Sequence, residues 1–275
     1  MPTSPPIAVS TWSVHNLLGV TYANGPGDIP TGVAQPTFGA GSVAFEDLPM
    51  ELAKRGYTRV EICHFHFASQ DPDYLAKVRN AFEASGVTIQ TLLIDDGDIT
   101  NPATRERDLA WIASWIDTAA LIGAENARVV AGKMKPTAQT LALSIDGLKQ
   151  MTALGKSHGV RIVTENWFDT LSTPKDVHHV LDAAGPDLGF LADTGNWGGA
   201  TKYSDLQSIF ARAELCHAKC DFGPGLVIDA DDYGQCVKAA KRAGYTGPFT
   251  LIFASEGDEW AGLDAERMFI QEHFV

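Results

Sequence analysis

The chain has 275 residues, 45% of them hydrophobic, and a formal net charge of −13. That is enough apolar mass for one full core in a single domain spanning 1–275. The charge argues against a general DNA or RNA binder and against an anionic membrane surface, since both partners attract a positive face, and no run of about 18 apolar residues offers a membrane span.

The short tail 1–6, Met-Pro-Thr-Ser-Pro-Pro, has no basic region followed by an apolar core, so no signal peptide is expected. Cys63, Cys216, Cys220 and Cys236 form no dense framework and read as reduced, packed thiols in a cytoplasmic protein. Strand-like and helix-like segments then alternate. Apolar, β-prone runs are predicted at 7–12, 58–63, 87–94, 127–131, 160–165, 188–193, 215–220 and 249–253. They have the apolar character of strands buried on both faces. Amphipathic stretches at 45–55, 72–85, 105–122, 137–158 and 231–243 are each followed by a glycine, the expected helix stop. Eight such strand–helix units predict a parallel (β/α)8 barrel in the α/β class. Gly39-Ala-Gly-Ser-Val-Ala44 fits a loose dinucleotide-binding pattern, but it follows a Pro/Gly-rich loop rather than a strand and is set aside. Segment 13–42 has no periodicity and reads as a long loop after strand one, a lid, a subunit contact or a plain surface excursion.

Active sites of such barrels lie at the C-terminal strand ends. Strands five, six and seven deliver Glu165, Asp193 and His217 there, 28 and 24 residues apart, each gap one βα unit. Two carboxylates and an imidazole suit one divalent ion, with Mn²⁺ ranked ahead of Mg²⁺, Co²⁺ or Zn²⁺. Alternation along strand seven puts Lys219 on the face of His217. Other strand-end residues fall into groups, each with a packing or capping role as its rival. Trp12, His15, Trp167 and Trp197 are candidate walls for a sugar ring. Glu61, Asp95, Asn166 and Asn196 are candidate substrate contacts. His64 and His66 are candidates for acid–base work. Asp96 shares with Asp95 the chance of pointing inward, while Asp98 reads as a cap. Lys133 either meets an anionic substrate or lies in solvent, and Lys135 reads as solvated. Trp111 and Trp115, at i and i+4, read as core or as a contact between copies in a homo-oligomer.

The segments Arg59-Val-Glu61-Ile, Thr164-Glu165-Asn166, Ala192-Asp193-Thr-Gly-Asn196, Cys216-His217-Ala-Lys219 and Gly244-Tyr-Thr-Gly-Pro248, in this order and spacing, resemble the xylose isomerase-like barrel superfamily. That superfamily groups sugar isomerases and epimerases with apurinic endonucleases. The resemblance implies metal binding by Glu165, Asp193 and His217. It points to isomerisation or epimerisation of a sugar or related polyol through a metal-stabilised enediolate; on this chain's own residues, Glu165 reads as ligand and candidate base, with a histidine or Lys219 moving or stabilising the second proton. It departs at strand eight, where family epimerases usually place a second glutamate and this chain has Ile252. Glu256 lies four residues on, about 13 Å further at roughly 3.3 Å per residue. The departure keeps open a lyase that expels a leaving group from a keto-sugar or glycoside. A multi-metal endonuclease and a non-catalytic sugar-binding barrel are the remaining alternatives.

Overall fold

The computed structural model describes residues 5–28 and 30–274. Residues 1–4 of the expected tail, Ile29 of the expected loop and Val275 lie outside the described residues. Eight parallel strands close on themselves: β1 (Ile7–Ser10), β2 (Arg59–Cys63), β3 (Thr88–Ile94), β4 (Asn126–Val129), β5 (Arg161–Glu165), β6 (Gly189–Asp193), β7 (Leu215–Lys219) and β8 (Phe249–Ile252). Each pairs with its sequence neighbours, and β1 closes the ring against β8 and β2. Around them run α1 (Leu48–Lys54), α2 (Pro72–Ser85), α3 (Arg105–Ile122), α4 (Ala138–His158), α5 (Pro174–Ala184), α6 (Lys202–Phe210), α7 (Ala230–Arg242) and α8 (Glu259–His273). This is the expected (β/α)8 barrel. Among the described residues no helix is long and apolar enough to cross a membrane.

Local chemistry sets the helix ends. The Asp71 carboxylate accepts the N–H groups of Asp73 and Tyr74 at the start of α2, with Pro72 at the first helical position. Thr137 and Thr140 exchange hydrogen bonds at the start of α4. The helices present Leu75, Ile112, Ile116, Leu148, Val177 and Leu206 to the outer strand faces, where Ile62, Leu92, Val129, Ile162, Phe190 and Leu251 meet them in one continuous core. Inside the barrel, Val163, Leu191 and Leu215 form a separate small apolar cluster.

Above that cluster the barrel interior is polar, and a β-bulge arranges it. Val60 pairs with Ile89 but Glu61 pairs with Thr91, so Gln90 is the extra residue of β3. The bulge turns two neighbours toward one carboxylate, since Gln90 Nε2 and Thr91 Oγ1 both donate to Glu61 Oε1, at 2.9 and 2.8 Å.

The segment after β1 is more ordered than its composition suggests. A 3-10 turn (Thr11–Val14) ends β1 two residues earlier than expected, a one-turn helix covers His15–Leu18, and Thr21–Ala23 pairs antiparallel with Val33–Gln35. The buried Glu259 carboxylate anchors it by accepting the N–H groups of Asn16 and Leu17. Asn24 donates to Phe67 O and accepts Trp111 Nε1–H at its own carbonyl.

Candidate active site

Alternation along the strands brings Ser10, Cys63, Leu93, Arg128, Glu165, Asp193, His217, Lys219 and Ile252 to the C-terminal mouth. There they line a cavity of about 200 Å³, with Trp12, Phe65, Asp95, Trp167 and Asn196 from the following loops. Glu165, Asp193 and His217 meet at its floor, each offering a ligand atom within 4.8 Å of the others. His217 Nδ1 stands 3.5 Å from Glu165 Oε1 and 3.6 Å from Asp193 Oδ2. Metal–ligand bonds of about 2.0–2.2 Å put neighbouring ligands roughly 3–3.5 Å apart. The three donors are therefore spaced to hold one divalent ion after a small adjustment, and their hard oxygen and imidazole character fits such an ion.

Each ligand is braced. His217 Nε2 lies 2.7 Å from Glu61 Oε2, which leaves Nδ1 for the mouth. This is the carboxylate–histidine pairing that orients metal-binding imidazoles. Burial opposes the imidazolium, yet Glu165, Glu61 and Asp193 outweigh it and hold the His217 pKa well above its usual value. Burial likewise opposes the Glu61 carboxylate, but His217, Gln90 and Thr91 win and its pKa is lowered. Asp193 Oδ1 accepts the N–H groups of Gly195 and Asn196, at 2.6 and 2.8 Å, which aims Oδ2 at His217. Asn196 Nδ2 donates to Glu165 Oε1 at 2.9 Å.

Arg128 escaped the sequence reading. It is almost wholly buried, paired with Asp95, and 3.2 Å through Nε from Glu165 Oε2, an ion pair without hydrogen-bond alignment. Its guanidinium lies 4.8 Å from the Trp167 ring centroid. Burial raises the Asp95 pKa, but Arg128 and His64 overcome it and hold it at about 2. A charged residue inside an otherwise apolar strand run was the available signal. Phe65, between the two histidines that sequence favoured, was missed as well.

Several expectations are corrected by position. His64 and His66 do not line the cavity, because the short 3-10 turn His64–His66 swings Phe65 inward instead. His64 packs edge-on against Trp111 and Trp115, with Nδ1 accepting the Asp95 backbone N–H at 3.2 Å and standing 3.6 Å from Asp95 Oδ2. His66 bonds Thr11 Oγ1, and burial drops its pKa to about 3, so it stays neutral. Glu61 lies fully buried beneath His217 and does not line the cavity. Asn166 is fully buried and braces the backbone of Asp193 by both donating and accepting. Trp197 donates to Leu171 O, and His15 bonds Trp12 O and packs on Phe38, both away from the cavity. No described residue of 13–42 lines the cavity; Phe38 reaches its rim through Trp12. Trp12, Trp167, Asp95, Asn196 and Lys219 do line it. Asp98 does not cap the next helix, whose N-cap is Thr104; it braces the turn after β3 by accepting the N–H groups of Thr100 and Lys133. Lys133 pairs with Asp96, and Lys135 is exposed. Glu256 is exposed and lines a separate groove with Phe222–Leu226. The four cysteines are buried and free.

The Glu61 pairing makes a measurable prediction. In Glu61→Gln the imidazole loses its anionic partner while the volume is kept. Affinity for Mn²⁺, read by competition with a coloured chelator, is expected to fall about 10–100-fold. Unchanged affinity would show that Glu61 does not orient the ligand.

A closed parallel barrel with this acid, acid and imidazole set at its C-terminal mouth defines a class of (β/α)8 barrels suited to one divalent cation. The chain belongs to the xylose isomerase-like TIM barrel family, whose model matches residues 50–272. No curated protein matches the chain. Among solved structures, a xylose isomerase-like TIM barrel protein from Mycobacterium smegmatis in complex with magnesium is 15% identical, with a TM-score of 0.69 over 99% of this chain and 98% of that one. A D-tagatose 3-epimerase-like protein is 13% identical, with a TM-score of 0.68 over 97% of both chains. A D-allulose 3-epimerase from Methylomonas sp. in complex with D-allulose is 16% identical, with a TM-score of 0.63 over 91% of this chain and 84% of that one. At these identities the likeness carries the fold.

Proposed function

We propose that the protein is a divalent-metal-dependent isomerase or epimerase acting on a sugar or related polyol. The observation that carries this reading is the convergence of Glu165, Asp193 and His217 at the floor of a small cavity walled by Trp12, Phe65 and Trp167. The ion they would hold supplies Lewis acidity, polarising adjacent substrate oxygens and stabilising the enediolate charge left when a proton leaves carbon. Trp12, Phe65 and Trp167 offer apolar faces to a sugar chain and exclude water. Glu165 and Asp95 line the cavity and are the candidate bases, and Asn196 orients the first of them. Lys219 brings a positive charge to the developing anion. The likeness in fold to a D-tagatose 3-epimerase-like protein and a D-allulose 3-epimerase supports the same chemistry.

Ile252 favours a second reading, a lyase that expels a β-leaving group from the same enediolate. It lines the cavity at the end of β8 and has no proton to exchange. Incubating Mn²⁺-loaded protein with a panel of ketoses and their acids in D₂O separates the two. Isomerase action leaves deuterium on one carbon of a product of equal formula, whereas lyase action yields a product that has lost water or an alcohol. If every compound comes back without deuterium from protein that holds its ion, both readings are overturned.

A further inference from the structure

Lys219 is the cavity's unpaired cation among the described residues. Arg128 also lines the cavity, but its guanidinium is committed to Asp95, to Glu165 and to the carbonyl of Ile94. Among the described residues Lys219 Nζ forms no ion pair, although its neighbours on the barrel floor are acidic. The reason lies across the strand pair: Lys219 is in register with Ile252 of β8, so the position where a carboxylate would neutralise it is apolar.

The lysine is nevertheless held in place. Its backbone N–H donates to Thr194 Oγ1 at 2.9 Å, and its carbonyl accepts the same hydroxyl at 2.8 Å. Its stem lies flat over Gly195, where an added Cβ would stand 2.6 Å from Lys219 Cδ. Any side chain at 195 would displace it. A fixed, half-buried ammonium beside an apolar wall and facing a small cavity leaves its neutralisation to the ligand.

We infer that the substrate is a short hydroxy-oxo carboxylate whose carboxylate sits against Lys219 and Ile252 while its carbonyl and hydroxyl face Glu165, Asp193 and His217. This rests on the sugar isomerase or lyase reading above and narrows it to sugar acids. A monoanion matches a single ammonium. A phosphate dianion leaves one charge over on a single ammonium unless a guanidinium fork or a helix N-terminus shares it, and the one guanidinium lining the cavity is already taken. The cavity of about 200 Å³ also favours a compact acid over a phosphorylated sugar.

The test measures equilibrium binding of D-erythronate, erythritol and erythritol 4-phosphate by calorimetry, with and without saturating Mn²⁺. Erythronate is expected to bind at least about tenfold tighter than erythritol, as befits a charge-assisted contact. Lys219→Met and Ile252→Glu, the second of which supplies an internal counterion, should each reduce that ratio about tenfold. A carboxylate that merely chelates the ion would keep its preference in both variants, and that result overturns the inference, as does equal binding of acid and polyol. Tighter binding of the phosphate than of erythronate also overturns it. Retention of Mn²⁺ by wild-type protein is recorded alongside. Protein that holds no ion but still prefers the acid through Lys219 defeats the metal reading alone.

Discussion

Asp193→Asn is expected to abolish retention of a divalent ion, and with it turnover, while leaving the barrel folded. The two oxygens of Asp193 have separate duties. Oδ1 holds the turn at 193–196 by accepting from Gly195 and Asn196, and Oδ2 faces His217. Asparagine keeps an acceptor for the turn but presents a neutral amide to the ion, so binding is removed without breaking the loop. Asp193→Ala would lose both functions and should be less stable by about 1–2 kcal/mol, the usual consequence of deleting such an acceptor. Ion content after dialysis should fall from one per chain to near zero in both variants. Activity should drop roughly a thousandfold or more, as when a group that stabilises transition-state charge is lost. Full occupancy in Asp193→Asn would remove Asp193 from the ligand set. Loading of the wild-type site also has a predictable pH dependence. The raised His217 pKa means that metal-free protein carries a proton on the imidazole near neutrality, and an ion must displace it. Affinity should therefore rise with pH, and calorimetry in buffers of different ionisation enthalpy should show proton release on binding.

The sequence was most legible where one residue type has one geometric meaning. Glycines after helices, apolar strand runs and the one-unit spacing of Glu165, Asp193 and His217 were enough to place eight strands and to bring those three side chains to one mouth. Hydrophobic periodicity did not single out α5, α6 and α8 by their boundaries: α6 and α8 lack a glycine stop, since Ala211 and Phe274 cap them in the helical region, whereas α5 does end at Gly185. Residues around the ligands were harder, because their roles depend on backbone departures that parity cannot foresee. The 3-10 turn at His64–His66 exchanges the inward place of a histidine for Phe65. The bulge at Gln90 commits Glu61 to a buried network. Asn166 is taken up by the backbone of β6, although it follows a ligand directly in sequence. Arg128 was hidden inside a run whose neighbours Ala127, Val129 and Val130 are all apolar core.

Arg128→Leu should be the most destabilising substitution at the mouth, by about 3–5 kcal/mol, because it removes the cation shared by two buried carboxylates. In the wild type the guanidinium meets Asp95 on one side and Glu165 on the other, and it covers the Trp167 ring. Leucine fills part of the space and leaves both acids uncompensated. A bound ion can answer for Glu165 but not for Asp95, so the loss measured by urea unfolding should be larger in EDTA than with saturating Mn²⁺. The Asp95 pKa, about 2 in the folded protein, lies below the ordinary value of about 3.9. Its ionisation therefore contributes stability that is present above about pH 4 and is lost as the pH falls through the folded value. Removing Arg128 should erase that contribution, so the stability curves of the wild type and of Arg128→Leu should converge in acid and diverge toward neutrality. Arg128→Lys tests geometry separately from charge. An ammonium cannot span two carboxylates and stack on an indole as a planar fork does, so it should recover less than half of the lost stability. A loss under about 1 kcal/mol in Arg128→Leu, with no change in the acid limb, would mean that solvent or the ion already balances both acids and that Arg128 does not hold this mouth together.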